Sequence, residues 1–229
     1  VLVATHSGVF TVAADGNATG PVGGHDFDAM GFTVTGMTLF ASGHPGQKTP
    51  AELGAPNLGI IRSDDYGLAW KPVALNGTID FHVLTAAPDG TLYGIASSKV
   101  NVLSSADDGK NWTTRAPVAA SDLAATTSGL YATAEEGLLV STDRGDSFTP
   151  VANAPLLYAI EARPDGTLVG AGTDGILWAQ EQDGTWVHLD ALEGAIQALS
   201  ATNDRVLLVD DRGIVEVAAD GAVVLRSAH

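Results

Sequence analysis

Short runs of β-branched and small apolar residues recur along the chain: TLYGIAS (91–97), LLVST (138–142), TLVGAG (167–172), ILWAQ (176–180), RVLLVD (205–210) and IVEVAA (214–219). Each closes on turn residues such as Gly, Asp or Asn. Runs of this length and composition between turn signals read as strands. No stretch sustains the 3.6-residue apolar period of an amphipathic helix, so the chain reads as all-β.

The strands are set in a repeat. Polar residues, then Gly, then apolar residues recur as HSGVF (6–10), NLGII (57–61), EEGLL (135–139), TDGIL (173–177) and DRGIV (211–215). The last three glycines, Gly137, Gly175 and Gly213, are spaced 38 apart. Gly59 to Gly137 is two periods, and the intervening copy is SKVNVL (98–103), with Asn101 in the glycine slot. Gly8 to Gly59 is one period plus about 13 residues, which appear as the Pro- and Gly-rich insertion SGHPGQKTPAELGAP (42–56). A second marker, Ser-x-Asp-x-Gly-x-x-aromatic, runs in phase at 63–70, 105–112 and 141–148, with a worn copy at 179–186. A third, PDGTLYG (88–94) and PDGTLVG (164–170), is two periods apart.

Four strands per unit of about 40 residues is the signature of a β-propeller. The expected fold is a six-bladed propeller in one domain, with blades at about 1–24, 25–77, 78–118, 119–154, 155–193 and 194–229. In each blade, strand a precedes the PDG-type turn, b follows it, c follows the recurring Gly and d follows the Asp-containing box. The first repeat opens directly on strand b, so the first blade is expected to be incomplete. The natural chain is then expected to start upstream of Val1, where any signal or anchor would lie.

Composition narrows the function classes. There are 11 Lys and Arg against 27 Asp and Glu, a formal charge of −16, which argues against a nucleic-acid partner. Asp outnumbers Glu 20 to 7, and many of the Asp residues fall at repeated turns, so the charge need not mark an acidic active site. The absence of Cys removes disulfides, thiolate catalysis and Cys-ligated zinc. No apolar run reaches the ~18 residues of a membrane span.

The boxes Ser63, Asp65, Gly67, Trp70; Ser105, Asp107, Gly109, Trp112; and Ser141, Asp143, Gly145, Phe148 match the Asp-box (BNR) repeat. The chain resembles sialidase-like Asp-box propellers. Through DAMGFTV (28–34), ASGHP (41–45) and DFH (80–82) it is similar to actinobacterial cell-envelope proteins labelled glycosyl hydrolases. The resemblance implies an extracytoplasmic setting, secreted or envelope-anchored. It also implies a structural role for the box in the c–d turn, away from the active-site face, and the chemistry agrees. A short Asp can accept backbone N–H bonds within its own turn, Gly takes positive φ, and the aromatic can fill the gap between blades. Calcium ligation by Asp64 and Asp65 is the poorer reading, since calcium wants six or more converging oxygens.

In an up-and-down blade the b–c and d–a connections share one end, here called the top face. That face collects His6, His25, His44 and His82 with Asp28, Asp80, Asp122 and Glu135. Imidazoles beside carboxylates can hold copper, zinc or a similar transition metal, or serve as acid–base groups. Asp28, Asp80, Asp122 and Glu135 are the catalytic candidates should the protein be a glycoside hydrolase, which needs two opposed carboxyls. The sialidase pattern of an Arg triad and a Tyr–Glu pair is missing. Tyr158 and Glu161 have odd spacing on a strand, which points them to opposite faces. The leading expectation is a non-catalytic binding or assembly module that takes a protein or glycan partner on its top face. A glycoside hydrolase and a metal-binding envelope protein are the alternatives.

Overall fold

The computed structural model of the protein describes residues 1–218, 221 and 223–227, the last three of these by backbone alone. Among them every sheet is an antiparallel ribbon of consecutive strands, and the fold is a six-bladed β-propeller with almost no helix. The described residues fall into two compact units, Val1–Pro117 and Val118–His229.

The first unit holds three blades. Blade 1 has three strands, β1 (Leu2–Thr5), β2 (Gly8–Val12) and β3 (Ala18–Thr19). It therefore lacks an innermost strand, as its sequence implies. Blade 2 comprises β4 (Asp28–Thr35), β5 (Thr38–His44), β6 (Ile60–Ser63) and β7 (Lys71–Ala74). Blade 3 comprises β8 (Phe81–Ala86), β9 (Leu92–Ala96), β10 (Asn101–Ser105) and β11 (Thr113–Pro117).

The second unit holds the other three. Blade 4 is β12 (Ala120–Ala125), β13 (Leu130–Ala134), β14 (Gly137–Ser141) and β15 (Thr149–Pro150). Blade 5 is β16 (Leu157–Ala162), β17 (Leu168–Gly172), β18 (Ile176–Gln180) and β19 (Trp186–Ala191). Blade 6 is β20 (Ala198–Ala201), β21 (Arg205–Asp210), β22 (Gly213–Ala218) and β23 (Val223–Ser227).

The periodic glycines mark one conformational need. Gly8, Gly59, Gly137, Gly175 and Gly213 all have positive φ at the entry to the third strand of a blade, counting blade 1 from its missing strand. A Cβ there would be strained. The second strands β9 (LYGIA) and β17 (LVGAG) are buried at every position, which is why they read as continuous small apolar runs rather than alternating ones. The fourth strand of blade 4, β15, is only two residues long and exposed.

Cores form between consecutive blades. Phe40 and Ile60 of blade 2 pack with Phe81, Leu84 and Leu92 of blade 3. Leu138 of blade 4 packs with Leu157, Ile160 and Leu168 of blade 5, and Val169 and Leu177 of blade 5 pack with Val206 and Val215 of blade 6. Each fully buried side chain of this size contributes roughly 1.5–3 kcal/mol.

The three Ser-x-Asp turns repeat one hydrogen-bond pattern. In the first, Ser63 Oγ donates to Asp65 Oδ1 (2.8 Å) and accepts from Gly67 N–H (2.8 Å), while Ala69 N–H donates to Asp65 Oδ1 (2.9 Å). The same bonds recur from Ser105, Gly109 and Asn111 around Asp107, and from Ser141, Gly145 and Ser147 around Asp143. Side-chain and backbone hydrogen bonds hold the Asp107 and Asp143 carboxyls down to about 2. Trp70 meets Phe27 edge-on with centroids 5.2 Å apart, and Trp112 lies 4.8 Å from Phe81.

Candidate functional site

The first strands carry a second repeat that is absent from the residue pattern. In the β4–β5, β8–β9, β12–β13 and β16–β17 ladders the register slips by one residue, leaving Met30, His82, Ser121 and Tyr158 as the extra residues. Such bulges re-aim side chains and locally increase twist. In blade 3 the bulge puts His82 beside Asp80: His82 Nε2 lies 2.8 Å from Asp80 Oδ2. The strand is fixed there because Phe81 N–H donates to the buried Ser42 Oγ at 2.9 Å, tying the start of β8 to β5.

His44 completes the group. The sequence suggests that it belongs to the insertion, but β5 runs through it, since Gly43 and His44 remain paired with Ala29 and Asp28. A Cβ on Gly43, whose φ is 142°, would run into Asp28 O, so only Gly permits this extension. His44 Nε2 reaches Asp80 Oδ2 at 3.2 Å, and its Nδ1–H donates to Pro56 O at 3.3 Å. The three side chains offer ligand atoms that all lie within 4.8 Å of one another. The His44 and His82 side chains are each 45% exposed, whereas Asp80 is 4% exposed and its Oδ1 has no hydrogen-bond partner among the described residues.

The neighbouring pair repeats this theme. His6 Nδ1–H donates to Asp28 Oδ1 at 2.7 Å. His6 follows and His44 ends the second strand of a blade, counting blade 1 from its missing strand, and Asp28 and Asp80 both stand two residues ahead of a bulge. The same His–Asp contact is therefore made twice, from blade 1 to blade 2 and from blade 2 to blade 3. Asp28 also lies directly opposite His44 in the β4–β5 ladder, so the two contacts are neighbours. His25 stands apart, with Nε2–H donating to Leu68 O at 3.2 Å. Of the four histidines that the sequence groups together, the structure converges His44 and His82 on one carboxylate, sets His6 on another and gives His25 to a backbone carbonyl.

The insertion after His44 is a built loop. Asp26 accepts Lys48 N–H with both oxygens at 3.0 Å and Thr49 Oγ1–H at 3.2 Å. Asn76 Nδ2 donates to the carbonyls of Leu53 (2.9 Å) and Leu58, and both leucines are fully buried. These anchors come from the segments that flank β4 and β7, so the loop is held from both ends of its own blade.

In the second unit the acid group is different. Asp122 accepts Leu123 N–H on Oδ1 and Ile160 N–H on Oδ2, both at 2.9 Å. Desolvation still raises its carboxyl to about 6. Glu161, next to Ile160, is raised to about 8 by desolvation and by the charge of Asp122. The Tyr158 bulge shifts strand alternation by one, so odd spacing does not set Tyr158 and Glu161 on opposite faces as strict alternation implies. Tyr158 OH accepts Ile196 N–H at 3.0 Å, and Ser121 Oγ–H donates to Tyr158 O at 2.9 Å. Glu135 is exposed in the turn between β13 and β14. Sequence reasoning weighed Glu161 only as a partner of Tyr158 and set it aside on strand alternation, because the bulge at Tyr158 leaves no mark in the residue pattern.

Several arginines are occupied in ion pairs. Arg62 joins Asp64 (2.8 Å) to Asp108 (3.2 Å), Arg205 meets Glu216 (2.7 Å), and Arg212 meets Asp210 (2.7 Å) and Asp190 (3.2 Å). Arg144 occupies the left-handed position of the third Ser-x-Asp turn, and Arg115 Nε–H donates to Ser104 Oγ at 2.8 Å.

No protein-family model and no curated protein matches the chain. Solved structures do match its fold. A chain of a nidogen/laminin complex structure aligns with TM-score 0.72 at 13% identity, over 97% of this chain and 90% of that one. A GH74 enzyme of Niastella koreensis aligns with TM-score 0.64 at 18% identity, over 98% of this chain but 36% of the enzyme. A structure described as YCF48 bound to D1 peptide aligns with TM-score 0.53 at 17% identity, over 93% and 76%. At these identities the likeness is one of fold: the chain is a β-propeller whose fold neighbours include proteins solved with peptide or protein partners and one glycoside hydrolase.

Proposed function

We propose that the protein is a non-catalytic, extracytoplasmic binding or assembly module of the Asp-box propeller kind. Its partner, a protein or a glycan, is taken on the edge of blades 1 to 3 where His6, His44 and His82 meet the insertion. The observation that carries this reading is the insertion itself. A loop that closed a hairpin could be short and polar; this one buries Leu53 and Leu58 and is pinned by Asp26, Asn76 and His44 beside half-exposed imidazoles. Ordered loops on a rigid scaffold are where binding residues concentrate. The propellers solved with D1 peptide and in the nidogen/laminin complex support the same class of role. An envelope location belongs to the same proposal, supported by the resemblance to envelope proteins, and is tested by fractionating cells that express the protein.

The reading is tested on arrays of defined peptides and glycans. Binding is expected for the intact chain and lost when residues 46–55 are replaced by a short Gly-Ser link. Turnover of any glycan that disappears in Asp80→Asn or Asp122→Asn would sink the non-catalytic assignment.

One observation favours the second reading, a glycoside hydrolase. Asp122 and Glu161 are two neighbouring carboxyls whose surroundings push their proton affinities up by different amounts, the condition under which one acts as acid and the other as base. Turnover lost in Glu161→Gln with folding intact would establish it.

A further inference from the structure

We propose that His44, Asp80 and His82 form a binding site for one divalent first-row transition ion, of which Zn²⁺ is the probe. This deepens the reading above, since it names what anchors a ligand at the edge of blades 2 and 3.

The donor set is two imidazole nitrogens and a carboxylate, the chemistry that suits zinc, copper, nickel and non-haem iron and that leaves calcium and magnesium poorly served. The spacing fits. At metal–ligand bonds of ~2.0–2.2 Å, adjacent ligand atoms in tetrahedral or octahedral sites stand ~2.9–3.5 Å apart. His44 Nε2 and His82 Nε2 lie 3.2 and 2.8 Å from the same carboxylate oxygen. The ring-to-ring separation, within 4.8 Å, is closed by small rotations of two side chains that are each 45% exposed.

Two independent features point to an ion rather than to a simple polar cluster. The first is Asp80 Oδ1, buried in a residue 4% exposed and left with no donor. An unpaired carboxylate oxygen out of water is costly, and a cation held against the carboxylate supplies what is missing. The second is the orientation of His44. A carbonyl oxygen can only accept, so the 3.3 Å contact to Pro56 O puts the proton on Nδ1 and leaves Nε2 bare in the neutral ring. That presents Nε2 to Asp80 Oδ2, 3.2 Å away. Orienting a ligating imidazole by a Nδ1–H bond to a backbone carbonyl is the usual outer support of a metal-bound histidine. The bulge at His82 sets that ligand on strand backbone, and the Ser42 bond to Phe81, with Ser97 N–H donating to Asp80 O at 2.9 Å, holds Asp80 at the strand's entry.

The site would be open. Three protein ligands and half-exposed rings leave one or more positions for water or for a carboxylate or imidazole of a partner, consistent with an ion that bridges to a partner.

The experiment uses the full chain without a polyhistidine tag, freed of metal by chelator dialysis and titrated with Zn²⁺ by calorimetry, with Co²⁺ as an optical probe. One ion per chain is expected. His44→Gln and His82→Gln, at half-exposed positions where the fold has little to lose, should each weaken Zn²⁺ by at least about 10- to 100-fold. His25→Gln should leave binding unchanged, and thermal melts of the metal-free variants should match the parent. Absence of a 1:1 ion, or affinity untouched by the His44 and His82 substitutions, overturns the proposal. The outcome is separable from that of the module reading. Partner binding that persists in a metal-free chain sinks the ion and keeps the module, whereas a 1:1 ion with no partner on the arrays keeps the ion and sinks the module.

Discussion

Asp122 fixes the backbone beside Glu161: its Oδ2 accepts Ile160 N–H at 2.9 Å, and its charge helps push the neighbouring Glu161 carboxyl up to about 8. The consequence for stability has a definite sign. A carboxyl with a raised affinity in the folded state holds its proton where the unfolded chain has already lost it. Between pH ~4.5 and ~8 the folded state therefore binds more protons, and stability falls as pH rises through that window. Thermal melts of the parent are expected to move down steadily from pH 5 to pH 8.5. Glu161→Gln removes an ionising group and should flatten that slope, with a higher midpoint than the parent at pH 8.5 and little change at pH 5. A parent whose midpoint is flat or rises over this range contradicts the raised proton affinity of Glu161.

The Ser-x-Asp turns oppose that trend at low pH. Asp107 and Asp143 are held down to about 2, so the bonds they accept contribute above the ordinary carboxylate range and are lost as pH falls from ~3.8 to ~2. The serine has a separate role, since Ser105 Oγ is the acceptor for the buried Gly109 N–H. Ser105→Ala leaves that donor unsatisfied and should cost about 1–3 kcal/mol in urea unfolding at pH 7. A change below the error of the measurement would mean that the turn relaxes to find another acceptor.

The fold was legible because its backbone demands are local. A positive φ at Gly8, Gly59, Gly137, Gly175 and Gly213 leaves a glycine in five of the six blades, and a turn closed on its own Asp leaves a box, so period and strand order could be read without contacts. The candidate site is not local in that way. His6 reaches Asp28 across 22 residues, and the equivalent step from His44 to Asp80 spans 36 because the insertion intervenes. Unequal spacing hid a repeated contact, and grouping all top-face histidines placed His25 with the others although it ends on Leu68 O. The bulge at Tyr158 has no residue signature, so strict alternation could not be carried from Tyr158 to Glu161. Asp64 and Asp108 stand beside the boxes in sequence, but only the structure shows that Arg62 joins them across two blades.

The aromatic position of the box should matter in proportion to its burial. Trp70 is 7% exposed and edge-on to the fully buried Phe27, whereas Phe148 keeps intermediate exposure. Trp70→Ala should cost roughly 3–5 kcal/mol. Phe148→Ala should cost distinctly less. Equal losses in denaturant unfolding would show that the two turns are packed alike, against the exposure seen here.

The insertion offers a test that leaves the blades alone. Asp26 holds the backbone N–H of Lys48 with both carboxylate oxygens and the hydroxyl of Thr49 with one, and these bonds keep its carboxyl below the usual range. Lys48 and Gln47 are exposed, so the peptide bond after Lys48 is accessible to trypsin in every respect except its rigidity. A protease must draw several residues of backbone into an extended conformation, which the Asp26 bonds oppose. Asp26→Ala should therefore accelerate cleavage after Lys48 severalfold while the thermal midpoint of the whole chain shifts little, because Leu53 and Leu58 still seat the far half of the loop. Asp26→Asn keeps one acceptor oxygen and should fall between the two. If Asp26→Ala cleaves no faster than the parent, the segment around Lys48 is held by Pro45 and Pro50 and by its own turns rather than by Asp26.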